Sequence, residues 1–278
     1  MKKAFLMLSA LIALTACTKQ QAPAPEPEPQ TPGSLVLYYS QTGSTERVAR
    51  IIAERTGADI EKFNVATAYD GDFNATIARC QEEMKNGTLP DLVPLQKDVA
   101  RYDTIYLGYP IWFGTYAPPV AALLKNVNLK GKVIVPFCTF GSGGLESSVA
   151  SLKAAQPEAI VLDGYGVRSA RVEKAAAEVA CYLTNAGIVP GEKVTLPEFS
   201  TPVPVKKADV AIFNAACGDY QMPLGIPLLV GSRPLTDATE YVFTVKNKGQ
   251  KDKEASTRIY VTVPNDKNLK PEFTRVVR

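Results

Sequence analysis

Histidine is missing from this chain altogether, so the side chain best placed to titrate near neutral pH is not available. A Ser-His-Asp or Cys-His catalytic set is excluded, and so is any metal site built on imidazole. An excess of charge of either sign is also lacking. The 31 Lys and Arg against 28 Asp and Glu leave +3, or +1 once Lys2 and Lys3 of an opening segment expected to be removed are discounted. So small a balance offers no clustered basic face for a nucleic-acid backbone, and no nucleic-acid partner is expected. Tryptophan occurs once, and the five cysteines include no C-x-x-C pair of a redox motif or zinc knuckle. What remains is ordinary for a folded protein. The 278 residues, 46% hydrophobic and 8% aromatic, have room for one domain of roughly 150 residues and something smaller. Without histidine, chemistry at neutral pH is most economically supplied by a cofactor that brings its own reactivity.

The opening segment is a positive head, Met1-Lys2-Lys3, followed by an apolar run over 4–14. That run is shorter than the ~20 residues of a bilayer span and suits a signal-peptide core. It leads into Leu14-Thr15-Ala16-Cys17, which resembles the lipobox of bacterial lipoproteins. Residues 1–16 are thus expected to be a signal peptide and Cys17 the lipidated residue; a plain secretory signal with a coincidental cysteine is the alternative. Residues 17–33 form a tether whose run of prolines from Pro23 to Pro29 favours an extended chain. The expected location is the cell envelope, lipid-anchored to a membrane. Thr18 and Lys19 bring no acidic run after the cysteine, which favours a periplasm-facing position. Export permits disulfides, but the sequence does not pair Cys80, Cys138, Cys181 and Cys217, and Cys138 reads as a buried thiol.

From residue 34 the chain alternates strands and helices. Continuous apolar runs at 34–39, 104–107 and 133–138 read as strands buried on both faces, with further strands at 60–65 and 160–162. Helices are expected over 44–55, a polar one over 72–85, then 118–127, 145–155 and 172–185. Strict alternation predicts an α/β fold, a doubly wound five-stranded parallel sheet covered on both faces, over 34–189. One common order, 2-1-3-4-5, places a ligand beyond the strand ends at the switch between the first and third strands.

Three turns gather at those strand ends. Ser40-Gln41-Thr42-Gly43-Ser44-Thr45 opens the first helix with four hydroxyls and a glycine, an arrangement that cradles phosphate by backbone and hydroxyl donors. An ordinary helix cap reads the same residues more plainly. Gly108-Tyr109-Pro110-Ile111-Trp112-Phe113-Gly114-Thr115-Tyr116 holds the single tryptophan among other aromatic residues in a segment expected to be an exposed loop, which suits a planar ligand. Thr139-Phe140-Gly141-Ser142-Gly143-Gly144 adds an aromatic residue and three glycines that let backbone approach a ring.

These turns resemble those of flavodoxin-like proteins. The first is similar to their phosphate loop and Gly108–Gly114 to the loop beside the isoalloxazine; Pro136–Gly143 resembles the third flavin-binding segment of one bacterial subgroup. The resemblance spans about 34–187. It implies bound FMN, with Ser40, Thr42, Gly43, Ser44 and Thr45 around the phosphate, Gln41 within the same loop, and Trp112 flanking the ring. Tyr109, Pro110, Ile111 and Phe113 would complete that wall, and backbone near Gly114 and through Thr139, Phe140, Gly141, Ser142 and Gly143 would reach the ring's polar edge. Phe113 stands where the subgroup often has a second tryptophan, and the near-neutral charge differs from the strongly acidic soluble carriers. The function implied is electron transfer through FMN, to a redox partner protein or a small-molecule acceptor such as a quinone. The alternative is a redox-inactive interaction module on the same scaffold. No full G-x-G-x-x-G follows a strand, since Gly164-Tyr165-Gly166-Val167-Arg168-Ser169 carries only the first two glycines, so electrons are expected from another protein or from a reductant stacking on the flavin.

Residues 190–204 are proline-rich and read as a linker. Beyond them 205–278 reads as a small β-rich domain, since 241–245 and 258–263 alternate with period two and 273–277 offers a third strand. The turn-rich stretch 218–225 is a candidate cover for the flavin edge or a partner surface.

Overall fold

Apolar residues in consecutive positions form central strands here because neighbouring side chains feed opposite cores. A computed structural model describes residues 33–69, 72–218, 220–247, 249–251 and 254–278. The first part of the chain runs β1 (Gly33–Tyr38), α1 (Ser44–Thr56), β2 (Asp59–Lys62), α2 (Phe73–Asn86), β3 (Tyr102–Trp112), β4 (Thr115–Tyr116), α3 (Pro118–Asn126), β5 (Val133–Phe140), α4 (Leu145–Ala155), β6 (Ile160–Val161), β7 (Tyr165–Arg168) and α5 (Ala175–Asn185). Leu35 and Leu37 of β1, with Ile105, Leu107 and Ile134, join the core that takes Val120, Leu123 and Leu152 from α3 and α4. Val36 and Tyr38, with Tyr106, Val135 and Phe137, join the core that takes Val48 and Ile52 from α1 and Val179 and Leu183 from α5. Two-sided burial is what a parallel sheet between helix layers imposes.

The parallel order is β2-β1-β3-β5-β6, with β7 also pairing with β5. This is the 2-1-3-4-5 order expected, its last position shared by two short strands where one was expected. β3 and β5 run further than their apolar cores suggested, carrying Gly108 to Trp112 and Thr139 to Phe140 into the sheet.

The C-terminal part adds β8 (Val203–Pro204), α6 (Lys207–Cys217), β9 (Ile226–Pro234), β10 (Ala238–Lys246), β11 (Thr257–Pro264) and β12 (Glu272–Val277). The strands form a separate antiparallel sheet, β12-β11-β10-β9-β8, whose core joins Phe213 and Cys217 of α6 to Phe243, Val245, Ile259, Val261 and Phe273. Its middle strands follow the period-two pattern. Helix α6 and strand β9 are additions to the sequence reading. Pro227 and Pro234 punctuate β9, yet prolines are tolerated near strand ends where few ladder bonds are needed. The stretch expected to be a linker ends in β8, and Phe199 within it packs edge-on against Tyr260 under Arg233.

The described cysteines Cys80, Cys138 and Cys217 are buried free thiols, and Cys181 is exposed. No helix among the described residues is long and apolar enough to cross a membrane. The expected signal peptide, Cys17 and the tether before Gly33 lie outside the described residues, as does Asp219 of the 218–225 turn.

Candidate functional site

The turns beyond β1, β3 and β5 border one cavity of about 450 Å³. Gln41, Thr42 and Thr45 line it from the first turn, Pro110, Ile111, Trp112 and Phe113 from the second, and Thr139, Phe140 and Gly141 from the third. No lining residue among those described carries a formal charge.

At its first end the cavity meets the start of α1. Gly43 occupies the N-cap position with φ 90° and gives no side-chain capping bond, so the positive end of the helix dipole opens at a residue without a side chain. Two of the four hydroxyls expected around a phosphate are used inside the protein. Ser40 Oγ accepts from the Gly43 and Glu46 amides, both at 3.2 Å, which shapes the turn from beneath. Thr45 Oγ1 is 2.8 Å from Thr139 Oγ1, a buried bond tying the first turn to the third. Thr42 is exposed and Ser44 half-buried.

The aromatic wall is built on Trp112, the last residue of β3. Its ring meets Tyr39 and Tyr69 edge-on, at centroid distances of 6.1 and 5.1 Å. Tyr39 donates to Gln41 Oε1 at 2.6 Å, and Tyr69 donates to Glu83 Oε2 at 2.6 Å. Arg79 lies 4.0 Å from the centre of the Tyr69 ring and pairs with Glu83 at 2.8 Å. Burial pushes the Tyr39 phenol up to about 12, and burial with the neighbouring Glu83 raises Tyr69, so both stay protonated donors at neutral pH.

Four expectations need correction. The second turn is no exposed loop: Ile111 and Trp112 pair with Tyr116 and Thr115, leaving a two-residue turn at Phe113 and Gly114. Strand parity then places Tyr109 with Leu107 and Ile105 in the core, fully buried, its hydroxyl 3.2 Å from Ser148 Oγ. It is not a cavity residue. Gly114 sits in the turn, where its carbonyl accepts from Ser147 Oγ at 2.6 Å. Ser142 and Gly143 stand outside the cavity lining as well. The Ser142 carbonyl accepts from the Val276 amide at 2.7 Å, and Gly143 forms an isolated bridge with Val276.

The remaining wall was not anticipated. Phe73, Thr76, Ile77 and Cys80 of α2, with Ser169, complete the lining. The signal was legible: Phe73, Ile77, Cys80 and Met84 recur at helical spacing within a helix read as polar. Burial raises the Cys80 thiol to about 11, so it contributes apolar surface and no thiolate. A charge-free, partly aromatic cleft with a helix N-terminus at one end can hold a flat phosphorylated molecule, and it offers no general acid or base of its own.

The chain is similar to several known proteins. A family model described as Flavodoxin matches residues 33–180. An NAD(P)H dehydrogenase (quinone) of Cupriavidus metallidurans is 31% identical over 132 residues, 43% of this chain and 63% of that protein. One of Azorhizobium caulinodans is 31% identical over 131 residues, 42% of this chain and 62% of that protein. The chain thus spans less than two thirds of the length of these curated relatives. A crystal structure of a flavoprotein in complex with FMN from Lactobacillus acidophilus is 24% identical, covering 52% of this chain and 98% of that one, with a TM-score of 0.44.

Proposed function

The chain belongs to the flavodoxin family, and from that premise we propose that it is an envelope redox protein, lipid-anchored through Cys17, that passes electrons through FMN to a quinone or another small acceptor. Flavodoxins hold FMN, and the cavity fits it: the open start of α1 suits a phosphate, and the uncharged aromatic wall suits a ring. Thr42 and Ser44 would hold the phosphate with the first amides of α1, while Trp112 and Phe140 would flank the ring. When bound, FMN supplies hydride and one-electron chemistry with its own proton sites, which accounts for a site without histidine. The protein's part is to bind, orient and keep water away. The apolar part of the lining would shield a bound ring from water, and the Tyr39–Gln41 and Tyr69–Glu83 bonds keep the tyrosines that brace Trp112 in one orientation.

The observation that carries this reading is the meeting of helix terminus and aromatic wall in one cleft. The quinone acceptor draws support from the two relatives, whose names state that activity for themselves. The test is titration of the protein with FMN, followed by anaerobic reduction with dithionite or NAD(P)H and reoxidation by a quinone. Yellow protein with quenched flavin fluorescence is expected, and Trp112→Ala should weaken binding by about 1–2 kcal/mol. A protein that ignores FMN would remove the reading; bound flavin that no acceptor reoxidises would favour the interaction module. Mass spectrometry of the N-terminal peptide, compared with Cys17→Ser, tests the anchor.

A further inference from the structure

The antiparallel sheet lies beyond the family match, which ends at 180, yet its last strand reaches the cavity's third turn. Val276 of β12 donates to the Ser142 carbonyl, and a Cβ built on Gly143 would stand 2.1 Å from the Val276 oxygen. Gly143 is therefore a glycine because a strand passes against it, not because a ring does. Arg168, the last residue of β7, fills the space beside this contact. Its Nε donates to the Gly141 carbonyl at 2.7 Å and its guanidinium donates to the Phe273 carbonyl at 2.9 Å. The same guanidinium lies 4.1 Å from the centre of the Phe273 ring and 5.2 Å from that of Tyr220. Further out, Glu272 pairs with Arg171 at 3.3 Å and with Lys174. Gly141 lines the cavity, so an unbroken line of contacts runs from β12 through Arg168 to the cavity wall.

We propose that the C-terminal sheet is a working part of the cofactor site, and that Arg168 is the positioning residue through which it holds the turn at 141–144 ready for the flavin. This rests on the FMN reading above. A turn with glycines at 141, 143 and 144 has much backbone freedom to lose on meeting a ligand, about 1–2 kcal/mol for each residue ordered. Docking on β12 removes that freedom before the ligand arrives, which is preorganisation. Arginine suits the position because one planar fork serves two carbonyls while its faces rest on aromatic rings. Its charge next to a residue of the cavity wall also favours the negative charge a flavin gains on reduction.

The test uses the full chain and three substitutions, Arg168→Met, Arg168→Lys and Gly143→Ala. Arg168→Met should raise the FMN dissociation constant roughly tenfold, as loss of charge-assisted bonds implies. Amides 141–144 of the FMN-free protein should exchange faster with deuterium, and the midpoint potential of bound FMN should move to a more negative value. Arg168→Lys should restore the potential but not the affinity, because an ammonium cannot bridge both carbonyls. Gly143→Ala keeps the charge and wedges β12 away, so affinity should fall while the potential stays. Wild-type affinity and wild-type exchange at 141–144 in both Arg168→Met and Gly143→Ala would overturn the proposal. Should the wild-type chain bind no FMN, the cofactor reading fails by itself, and the exchange comparison still decides whether the sheet holds the turn.

Discussion

Phe113 is the one non-glycine residue among those described with positive φ, at 51°, and Gly114 follows at 81°. A two-residue hairpin turn needs such a pair, and asparagine is the favoured first member. A phenylalanine there costs on the order of 1 kcal/mol of backbone strain. The residue is also 50% exposed, so burial returns little. A costly, exposed aromatic residue on a cavity wall is best explained by what the cavity holds. Phe113→Asn should therefore raise the melting temperature by roughly 2–4 °C while weakening FMN binding several-fold. Melting curves with and without FMN check both signs; a stabilised variant with undiminished affinity would detach the ring from the ligand. Its neighbour Tyr109 shows why residue type alone misleads. Both are aromatic residues of one segment, and strand parity sends Tyr109 into the core.

At the scale of elements, the site depends on the start of α1 and the ends of β3 and β5 lying at the same level. The Thr45–Thr139 bond joins residues 94 apart in sequence, at the start of α1 and near the end of β5. Thr45→Val leaves the Thr139 hydroxyl buried without that partner and should cost about 1–3 kcal/mol. Replacing both threonines by valine should recover most of the loss, because no lone hydroxyl then remains; denaturant unfolding of the single and double variants measures this. No recovery would mean that the hydroxyls serve something besides each other. Helices α1 and α4 were legible from apolar spacing and flanking glycines, and α4 falls at the bounds expected. The cavity face of α2 was passed over because charged residues between its apolar positions made the helix look wholly solvated.

At the scale of the molecule, the residues described from 33 onward pack as one compact unit, and Glu272 of β12 ties the C-terminal sheet to the segment that follows β7. Burial alone would raise its carboxyl, but hydrogen bonds and charge from Lys174 and Arg171 outweigh burial and hold it below the ordinary glutamate value. A depressed folded value stabilises the protein above the unfolded pKa, about 4.3, and the contribution disappears as pH falls through the folded value. Glu272→Gln should thus melt below wild type at pH 7, with the gap narrowing as pH falls below the unfolded value of about 4.3 and closing once pH passes below the depressed folded value. Melting temperatures across that range decide it, and a gap independent of pH would assign the loss to packing.

The amino-acid order alone determined the alternation of strands and helices and the places of the three turns, because apolar periodicity and glycine placement are local properties; the sheet order was one of two common ones, singled out by the resemblance those turns carry. It also excluded imidazole chemistry, which composition settles without any coordinates. Which side chains of those turns face the cavity was decided only in three dimensions. Strand length sets the parity that buries Tyr109, and Val276 of β12, more than 130 residues after Gly143, packs against that glycine. Burial and pairing between distant segments are properties of the assembled chain, and no local pattern encodes them.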